Sequence, residues 1–520
     1  MGKPGFPTLL PAGLASSPRR EGLGGPSPPS LYACVAQTAA MFFRIPLAIV
    51  TGKVAGTLSR QLRLGGGTTL PGSLARRLAP GVLGVLAAAL PHGVVLLSGT
   101  NGKTTTSRML ADMLGASGER VLHNRAGANL IAGLTATAIA NTDWRGRPRA
   151  TIGLFETDEA ALPQAIAETR PRLVLIHNLF RDQLDRYGEV DTVAAAWRAA
   201  LAELPAEATV TLNADDPAVA DLGAGLRARV VYYGLEDAQH ALGAGAHIAD
   251  SQFCRRCGER YVYDLAFYAH IGHYHCPRCG HCRPEAQVRL VRLHLHGARG
   301  SRLYLFYPGG ALEAELPLPG LYNAINATAA FAAALALGAA PAEARAALEG
   351  FRAAFGRIER LTAGPGGAPM LIALIKNPVG ASETVRMLVD AGAPAAHTDP
   401  NANGRTADAG LHVLIAINDR FADGTDVSWL WDAEFEPLAG RLALATLSGT
   451  RAEDMAVRLK YAGVPEAHMR LEPDLGRAVD AALDALPAGA TLFVLPTYTA
   501  MLDLRDILAR RGWARQFWEA

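Results

Sequence analysis

The stretch LLSGTNGKTTT, residues 96–106, lies between two segments of different periodicity. The apolar run GVVLL before it (residues 93–97) is typical of a buried strand, and TTTSRMLADMLGASG after it (residues 104–118) has helical spacing with a glycine at its end. A strand, a glycine-rich turn and a helix in this order direct backbone N–H groups and a helix N-terminus toward one point, where a phosphate binds. The stretch therefore predicts an α/β fold built around a phosphate-binding loop.

The loop itself supplies the candidate nucleotide-binding residues. Lys103 is expected to reach the terminal phosphates, and the Thr104 hydroxyl to bind Mg²⁺. In the usual motif four residues separate a first glycine from the Gly-Lys pair, but Leu97 occupies the position of that glycine, so this is a shorter variant. The candidate residues are Gly99, Thr100, Asn101, Gly102, Lys103, Thr104 and Thr105.

Polar residues follow further apolar strands downstream. Glu156 ends the strand-like ATIGLFE (residues 150–156), and a carboxylate at a strand end beside the loop suits Mg²⁺, which prefers oxygen ligands. Glu156 is thus a candidate catalytic and metal-binding residue, and Glu159 a supporting one; the alternative is a solvated acidic turn. LVLIHN and VTLN (residues 173–178 and 210–213) are further strands that alternate with helices, which predicts a parallel sheet with ligands at the carboxyl ends of its strands.

Length and composition limit the function classes. A chain of 520 residues is expected to form about three units, and a net charge of +2 lacks the basic excess of nucleic-acid-binding proteins. Residues 1–30, rich in Pro, Gly and Ser, are expected to be disordered. Residues 31–50 are apolar but contain Arg44 and Pro46, so we expect a helix packed on the protein or lying at a membrane surface rather than a membrane span.

Five of the six cysteines lie within thirty residues, which does not resemble a disulfide framework and favours a cytoplasmic protein. Four form the pattern C-x2-C-x18-C-x2-C, with a glycine after each pair, and predict a structural zinc ribbon because four thiolates leave no position open for a substrate. Cys282, His275 and His281 are possible substitutes or neighbours, and Cys34 is expected to be a buried thiol. The four ligands are Cys254, Cys257, Cys276 and Cys279.

Six motifs in order resemble the central domain of the Mur ligases, which form amide bonds from ATP through acyl phosphates. The resemblance implies that Asn323 and Asn326 lie near the nucleotide and bind its adenine or ribose. The chain departs from the family at Asp182-Gln183, where many members have Asp-His. A role of this pair in binding a metal or water therefore stays open. The motifs are GTNGKTTT (99–106), NRAGAN (124–129), ExxEA (156–160), NLFRDQLDRYG (178–188), LNADDP (212–217) and GLYNAINATAA (320–330).

The resemblance implies four regions after the tail. They are a helical segment (31–90), a central ATP-binding domain (91–355), a zinc-ribbon insertion within it (about 251–284) and a Rossmann-like C-terminal α/β domain (360–520). The short segment before the loop replaces the nucleotide-sugar domain of typical members, so the substrate is not expected to be held through a uridine nucleotide. Residues 393–410 are interpreted as a loop insertion.

The C-terminal region contains NDRFADGTDVSWLWD (418–432), which is dense in acids and tryptophans. Aromatic residues exposed in a loop indicate a partner surface; core packing is the alternative. The nucleotide-binding core, the four-cysteine insertion and the C-terminal region together resemble the synthetase subunits of lipid II isoglutaminyl synthases, a branch of the Mur ligase family. In that branch a C-terminal acid orients the histidine of a glutaminase. Asp426 is the first candidate, Asp432 the second and Asp423 the third, and helix or turn capping is the other interpretation.

This resemblance implies amidation of the D-glutamate α-carboxyl of the lipid II stem peptide at the membrane surface. It further implies ATP, Mg²⁺, structural Zn²⁺ and ammonia from a GatD-like glutaminase subunit, because this chain shows no glutaminase cysteine of its own. Two rival hypotheses are a stand-alone amino-acid-adding ligase of the folylpolyglutamate or cyanophycin synthetase type, and a nucleotide-dependent scaffold. Neither rival explains both the cysteine insertion and the complete set of nucleotide residues.

Overall fold

The structure is a computed structural model that describes residues 31–61, 69–124, 127–180, 189–242, 251–352, 358–364, 366–392 and 410–514. The predictions for residues 1–30, for Asp182 and Gln183, for the side chain of Cys34 and for residues 393–409 lie outside the described residues.

Helices and strands alternate along most of the chain. The helices are α1 (Leu31–Gln61), α2 (Leu70–Leu78), α3 (Val82–Ala88), α4 (Lys103–Ala116), α5 (Ile131–Ala140), α6 (Leu162–Thr169), α7 (Glu189–Ala202), α8 (Pro217–Ala220), α9 (Leu321–Ala336), α10 (Pro341–Glu349), α11 (Pro378–Gly392), α12 (Ala452–Tyr461), α13 (Leu475–Asp484) and α14 (Tyr498–Arg510). The strands are β1 (Val94–Ser98), β2 (Val121–His123), β3 (Ile152–Glu156), β4 (Leu173–Ile176), β5 (Thr209–Asn213), β6 (Arg229–Leu235), β7 (Val262–Tyr268), β8 (Ile271–His275), β9 (Val288–Leu295), β10 (Ser301–Tyr307), β11 (Gly310–Leu316), β12 (Ile358–Ala363), β13 (Ala368–Ala373), β14 (Leu411–Ala416), β15 (Leu442–Ser448), β16 (Met469–Leu471) and β17 (Leu492–Pro496).

The first sheet, within the described residues, has the strand order β11-β10-β9-β6-β5-β4-β1-β3-β2. Strands β1 to β6 and β9 pair in parallel, as expected, whereas β10 pairs antiparallel with both β9 and β11 at one edge. The predicted parallel sheet is confirmed for the parallel strands, and the antiparallel edge is an addition that the sequence analysis did not predict. The physical reason is that β9, β10 and β11 follow one another through connections of a few residues, which are too short for a parallel crossover.

The second sheet has the order β12-β13-β17-β14-β15-β16, and its parallel strands alternate with helices as predicted. Strand β12 is antiparallel to β13. Both sheets are therefore mixed, and the α/β class is confirmed.

Buried strands at the centre of the first sheet explain its two hydrophobic cores. All five residues of β1 and of β3 are buried, as is usual for parallel strands covered on both faces. Alternate residues point to opposite faces, so Leu97 and Leu154 join the core under α4 and α9, whereas Leu96 and Phe155 join the core under α2, α3 and α5. The loop that follows β1 thus projects from the carboxyl end of a buried central strand.

The hairpin of β7 and β8 lies between the two sheets. The Gly272 N–H donates to the Asp215 carbonyl of the first sheet, and the Arg386 guanidinium on α11 donates to the Phe267 carbonyl at 2.7 Å. The inserted segment therefore joins both halves of the molecule.

Helix α1 packs on α2 and α5. Among the described residues, no helix has the length and apolarity needed to cross a bilayer.

Candidate active site

The loop predicted to bind phosphate (residues 99–104, named the phosphate-binding loop after this prediction) has the geometry that its glycines predict. Gly102 has φ 82°, and a Cβ there would lie 2.2 Å from the Asn326 side-chain oxygen, so only glycine fits. Helix α4 begins at Lys103, immediately after this turn. The loop therefore ends at a helix N-terminus, the arrangement that binds phosphate.

The segment after β4 braces this loop. The Asn178 side chain accepts a hydrogen bond from the Asn101 N–H at 2.8 Å and donates to the Asn101 carbonyl at 3.0 Å. The Thr100 hydroxyl accepts from the Phe180 N–H and donates to the Phe180 carbonyl. Four hydrogen bonds thus hold the loop in one conformation. Our sequence reasoning assigned no role to Asn178, although it begins the motif at residues 178–188.

The Lys103 ammonium lies over the loop and is almost completely buried. It donates to the Gly99 carbonyl at 2.6 Å and to both carboxylate oxygens of Glu159 at 3.0 Å. Glu159 therefore neutralises Lys103 in this structure. A polyphosphate would compete with Glu159 for the same ammonium.

Glu156 and Thr104 lie on neighbouring elements beside the loop. Strands β1 and β3 place Glu156 opposite Leu97, two residues before Gly99, and Thr104 is in the first turn of α4. The Oε2 atom of Glu156 is buried and has no hydrogen-bond partner among the described residues. A buried carboxylate oxygen is costly unless a donor or a cation satisfies it, so this arrangement fits a Mg²⁺ ion.

Asn323 and Asn326 lie on the first turns of α9 and form a buried wall behind Gly102. The Asn326 amide donates to the Asn323 side-chain oxygen at 3.2 Å, and the Asn323 amide donates to the Pro319 carbonyl. His177, a residue that our sequence reasoning missed, completes the wall and shares a hydrogen bond of 2.6 Å with the Tyr233 hydroxyl. Burial lowers the pKa of His177 to about 4, so its imidazole is neutral at physiological pH.

A cleft of about 80 Å³ separates the loop from the second sheet. The Asn377 amide donates to the side-chain oxygen of Asn101 at 2.9 Å across it, and Lys376 and Glu383 line the same cleft. Our sequence reasoning quoted LIKNPVG without a role for it. The missed signal is that β13, a polar turn and α11 repeat the strand–turn–helix order of the first loop.

Glu383 is buried, and burial raises its pKa to about 7. Arg386 on the same helix lowers the pKa, whereas Glu434 and Asp390 raise it. In the unfolded chain a glutamate ionises near pH 4.5. The folded state therefore retains a proton that the unfolded state releases, and the free energy of unfolding falls as pH rises from about 4.5 to about 7.

We expect Glu383→Gln to remove this pH-dependent fall in the free energy of unfolding, which is at most about 3 kcal/mol. The melting temperature of the variant relative to wild type should be higher at pH 8 than at pH 5. Glu453→Gln, at an exposed position on α12, is the control and should give no such difference. An equal effect of Glu383→Gln at both pH values would contradict a protonated Glu383.

The four predicted cysteines form one cluster, with all sulfur atoms within 4.8 Å of one another. Cys254 and Cys279 are 3.5 Å apart and Cys257 and Cys276 3.4 Å apart, whereas a tetrahedral zinc–thiolate site separates its sulfurs by about 3.8 Å. The cluster thus fits a zinc ion. Cys282 lies outside the four-cysteine cluster, and the His275 ring forms a hydrogen bond with the Asp264 carboxylate.

His281 lies beside the cluster rather than in it. Its Nδ1 atom is 3.8 Å from the Cys254 sulfur and 2.7 Å from the Tyr261 hydroxyl.

We expect Cys257→Ser to abolish stoichiometric zinc binding and to lower the melting temperature by roughly 5 °C or more, because metal binding stabilises the folded insertion. Metal analysis and thermal unfolding would measure both effects. The matched control is Cys282→Ser, which should change neither. Zinc-free wild-type protein after purification with zinc in the medium would contradict the assignment.

The three candidate acids in the loop before β15 differ in their contacts. Asp423 is engaged in the fold, since its carboxylate accepts from the Thr499 N–H at the start of α14. Asp426 and Asp432 are exposed. One oxygen of Asp426 accepts from the Ser428 N–H at 2.8 Å, and that hydrogen bond lowers the Asp426 pKa, so the carboxylate is ionised and held in place.

The aromatic residues of this loop divide between core and surface. Trp429 is buried, whereas Trp431 is 53% exposed and packs on Tyr461, which is 73% exposed. Phe421 is 97% exposed. Core packing thus applies to Trp429, whereas Trp431 and Phe421 are exposed in the same loop as Asp426.

Comparison with known proteins gives matches along most of the chain. A family profile described as Mur ligase middle domain matches residues 97–268, and one described as MurT ligase C-terminal matches residues 374–501. Subunit MurT of the glutamine-hydrolyzing lipid II isoglutaminyl synthase of Streptococcus pneumoniae is 32% identical over 90% of this chain and 99% of its own length. The Staphylococcus aureus (strain N315) subunit of the same name is 31% identical over 85% of this chain and 93% of its own length.

A solved structure of MurF from Acinetobacter baumannii covers 83% of this chain and 80% of its own, with a TM-score of 0.58 and 18% identity. At that identity the likeness shows the fold alone.

Proposed function

The chain belongs to the MurT family, and from this premise we propose that it is the synthetase subunit of a glutamine-hydrolysing lipid II isoglutaminyl synthase. It is then a ligase of peptidoglycan synthesis that converts the D-glutamate α-carboxyl of the lipid II stem peptide into the amide of D-isoglutamine. The observation that carries this proposal is the identity of 31–32% to the two MurT subunits over nearly their whole length.

A carboxylate does not react with ammonia directly because oxide is a poor leaving group. We propose that the substrate carboxylate attacks the γ-phosphorus of ATP, which releases ADP and forms an acyl phosphate. Ammonia then attacks the carbonyl carbon, phosphate leaves, and the nitrogen loses a proton to give the amide. Positioning and charge neutralisation dominate such phosphoryl transfers.

The described residues suit these roles. The N–H groups of the phosphate-binding loop and the Lys103 ammonium would bind the phosphates of ATP. Asn323 and Asn326, whose side chains form the wall behind Gly102, would bind the adenine or its ribose. Glu159 would position the Lys103 ammonium, which it contacts at 3.0 Å.

Thr104 and Glu156 would hold Mg²⁺, which when bound neutralises phosphate charge. The buried, unpaired Oε2 atom of Glu156 supports this choice. Cys254, Cys257, Cys276 and Cys279 would hold a structural Zn²⁺ that stabilises the insertion.

Free ammonia is scarce at neutral pH, so a GatD-like glutaminase partner would supply it. We propose that Asp426 orients the catalytic histidine of that partner, with Asp432 as the second choice. Support comes from the exposed and fixed carboxylate of Asp426 in a loop with exposed aromatic side chains, which are enriched at protein interfaces.

We further propose that the enzyme works as a cytoplasmic, peripheral protein at the inner face of the membrane, because lipid II is anchored there by its lipid. We also propose that the chain divides into a helical segment (31–90), an ATP-binding domain (91–355) that contains the zinc insertion (about 251–284), and a C-terminal domain (360–520).

The decisive experiment measures phosphate release and amide formation with and without the glutaminase and a lipid-linked stem peptide. ATP consumption that requires both supports the proposal. Turnover with a free amino acid and no glutaminase would indicate a stand-alone ligase, and nucleotide binding without turnover would indicate a scaffold.

A further inference from the structure

Among its described side chains, helix α1 buries Ile49 and several small residues against the protein and exposes four aliphatic residues to solvent. Ala48, Gly52 and Ser59 are buried against the rest of the molecule. On the opposite face lie four exposed side chains with helical spacing, which we name the α1 face: Leu47 (55% exposed), Val50 (39%), Val54 (47%) and Leu58 (50%). A water-facing helix normally shows the reverse distribution.

Close backbone packing holds α1 in this orientation. A Cβ on Gly52 would lie 3.0 Å from the Ile139 side chain of α5, and one on Gly72 of α2 would lie 1.8 Å from the Ala132 carbonyl of α5. Small residues at helix contacts, with aliphatic residues outward, are the pattern of helices that face lipid. Rotation of α1 to bury the α1 face would force its larger side chains into these contacts.

The stretch of sequence that contains α1 has an excess of positive charge, although two of its cations, Arg76 and Lys103, are paired with Glu168 and Glu159. Residues 22–111 contain eight of the chain's 50 lysines and arginines and none of its 48 acidic residues. Arg44, on α1 itself, is exposed. The excess of positive charge is therefore a property of this region and not of the chain, whose net charge is +2.

The turn after α5 adds an aromatic residue and further basic residues. Lys53 of α1 donates to the Thr142 carbonyl at 2.6 Å, and its ammonium lies 5.6 Å from the centre of the Trp144 ring, which is 63% exposed. Asp143 is the acid in this turn, and its carboxylate accepts hydrogen bonds from two N–H groups of the turn. The exposed basic residues of the turn are Arg145, Arg147 and Arg149.

We propose that the α1 face, together with Trp144, docks on the surface of an anionic lipid bilayer. Aliphatic side chains would enter the boundary between headgroups and acyl chains, Trp144 would lie at headgroup level, and the basic residues would contact lipid phosphates. A second copy of this chain is a poorer occupant, since two such positive surfaces repel each other.

The docked orientation has a consequence for the reaction, which rests on the function proposed above. Helix α5, on which α1 packs, follows directly the segment that borders the catalytic carboxylate, where the Asn124 amide donates to the carbonyls of Ala128 and Glu156. The membrane surface and the active site are thus connected by one helix layer, which suits a substrate whose anchor remains in the bilayer.

The test is co-flotation of the full chain with vesicles. Wild-type protein should float with vesicles of phosphatidylglycerol and phosphatidylcholine in equal parts, and much less with pure phosphatidylcholine. Val54→Glu combined with Leu58→Glu should lower the partition coefficient by about tenfold or more. The matched control, Val291→Glu with Leu471→Glu at equally exposed sites elsewhere, should float like wild type.

Equal flotation of the Val54→Glu/Leu58→Glu variant and the control would overturn the proposal. Failure of the wild-type protein to float with the anionic vesicles would also overturn it. Self-association in sedimentation that this variant abolishes, without vesicle binding, would assign the α1 face to a second copy instead. Amidation of a water-soluble lipid II analogue should be the same in the variant and wild type, so failure of docking and failure of the proposed function give different results.

Discussion

Replacement of Lys103 by alanine is expected to lower ATP-dependent amidation by about a thousandfold or more while the folding transition persists. The Lys103 ammonium lies against the Gly99 carbonyl of the phosphate-binding loop, and we expect it to supply positive charge where the transferred phosphoryl group is most negative. Alanine removes that charge and leaves the loop hydrogen bonds of Asn178 and Thr100 in place. Single-turnover measurement of ADP formation, with ATP saturating, gives the effect on the chemical step.

Two companion variants make this test specific. Lys460→Ala, at an exposed position on α12, controls for loss of a positive charge and should retain full activity. Glu159→Gln should reduce activity less than Lys103→Ala, since Glu159 acts on the nucleotide only through the Lys103 ammonium. Unchanged ADP formation in Lys103→Ala would contradict the assignment of nucleotide binding to this loop.

Asp426→Asn is expected to reduce glutamine-dependent amidation by about ten-thousandfold in the complex with the glutaminase, as loss of the acid of a catalytic triad does. Amidation driven by added ammonium should stay within about twofold of wild type, because the phosphate-binding loop and the cleft are untouched. The split between the two nitrogen sources is the diagnostic result, since a folding defect would lower both. Product formation from each source, at matched complex concentration, is the measurement.

The other two acids in the loop serve as controls. Asp432→Asn keeps the same exposed surface and should have little effect if Asp426 is the orienting acid. Asp423→Asn removes the acceptor for the Thr499 N–H and should lower stability without separating the two nitrogen sources. A selective loss of glutamine-dependent activity in Asp432→Asn would transfer the role to Asp432.

Local patterns in the sequence predicted the parts of the site that depend on neighbours in the chain. The turn at Gly102 and the start of α4 follow from a few residues around Lys103. The cysteine cluster was equally predictable, because each C-x2-C pair forms its own turn and the only remaining requirement is that the two turns meet. The roles of these residues in binding remain predictions.

Contacts between distant segments were not predictable in this way. Asn101 and Asn377 are 276 residues apart, and nothing in either segment specifies the other. The pairing of Lys103 with Glu159 and the placement of His177 behind Gly102 depend in the same way on how β1, β3 and β4 align. The antiparallel edge at β10 and β11 was not predicted because the sequence analysis named no strand of this sheet after residue 213.

The inserted hairpin has a mechanical consequence for how the cleft opens. The Asn377 amide links the second lobe to the loop through a neutral hydrogen bond to Asn101, and a bond of this kind contributes about 1 kcal/mol. At the hairpin, by contrast, the charged Arg386 side chain holds α11 to the Phe267 carbonyl, and Gly272 holds the hairpin to the first sheet. Because α11 lines the cleft, any opening of the cleft by movement of α11 would also strain the hairpin contacts of the cysteine insertion.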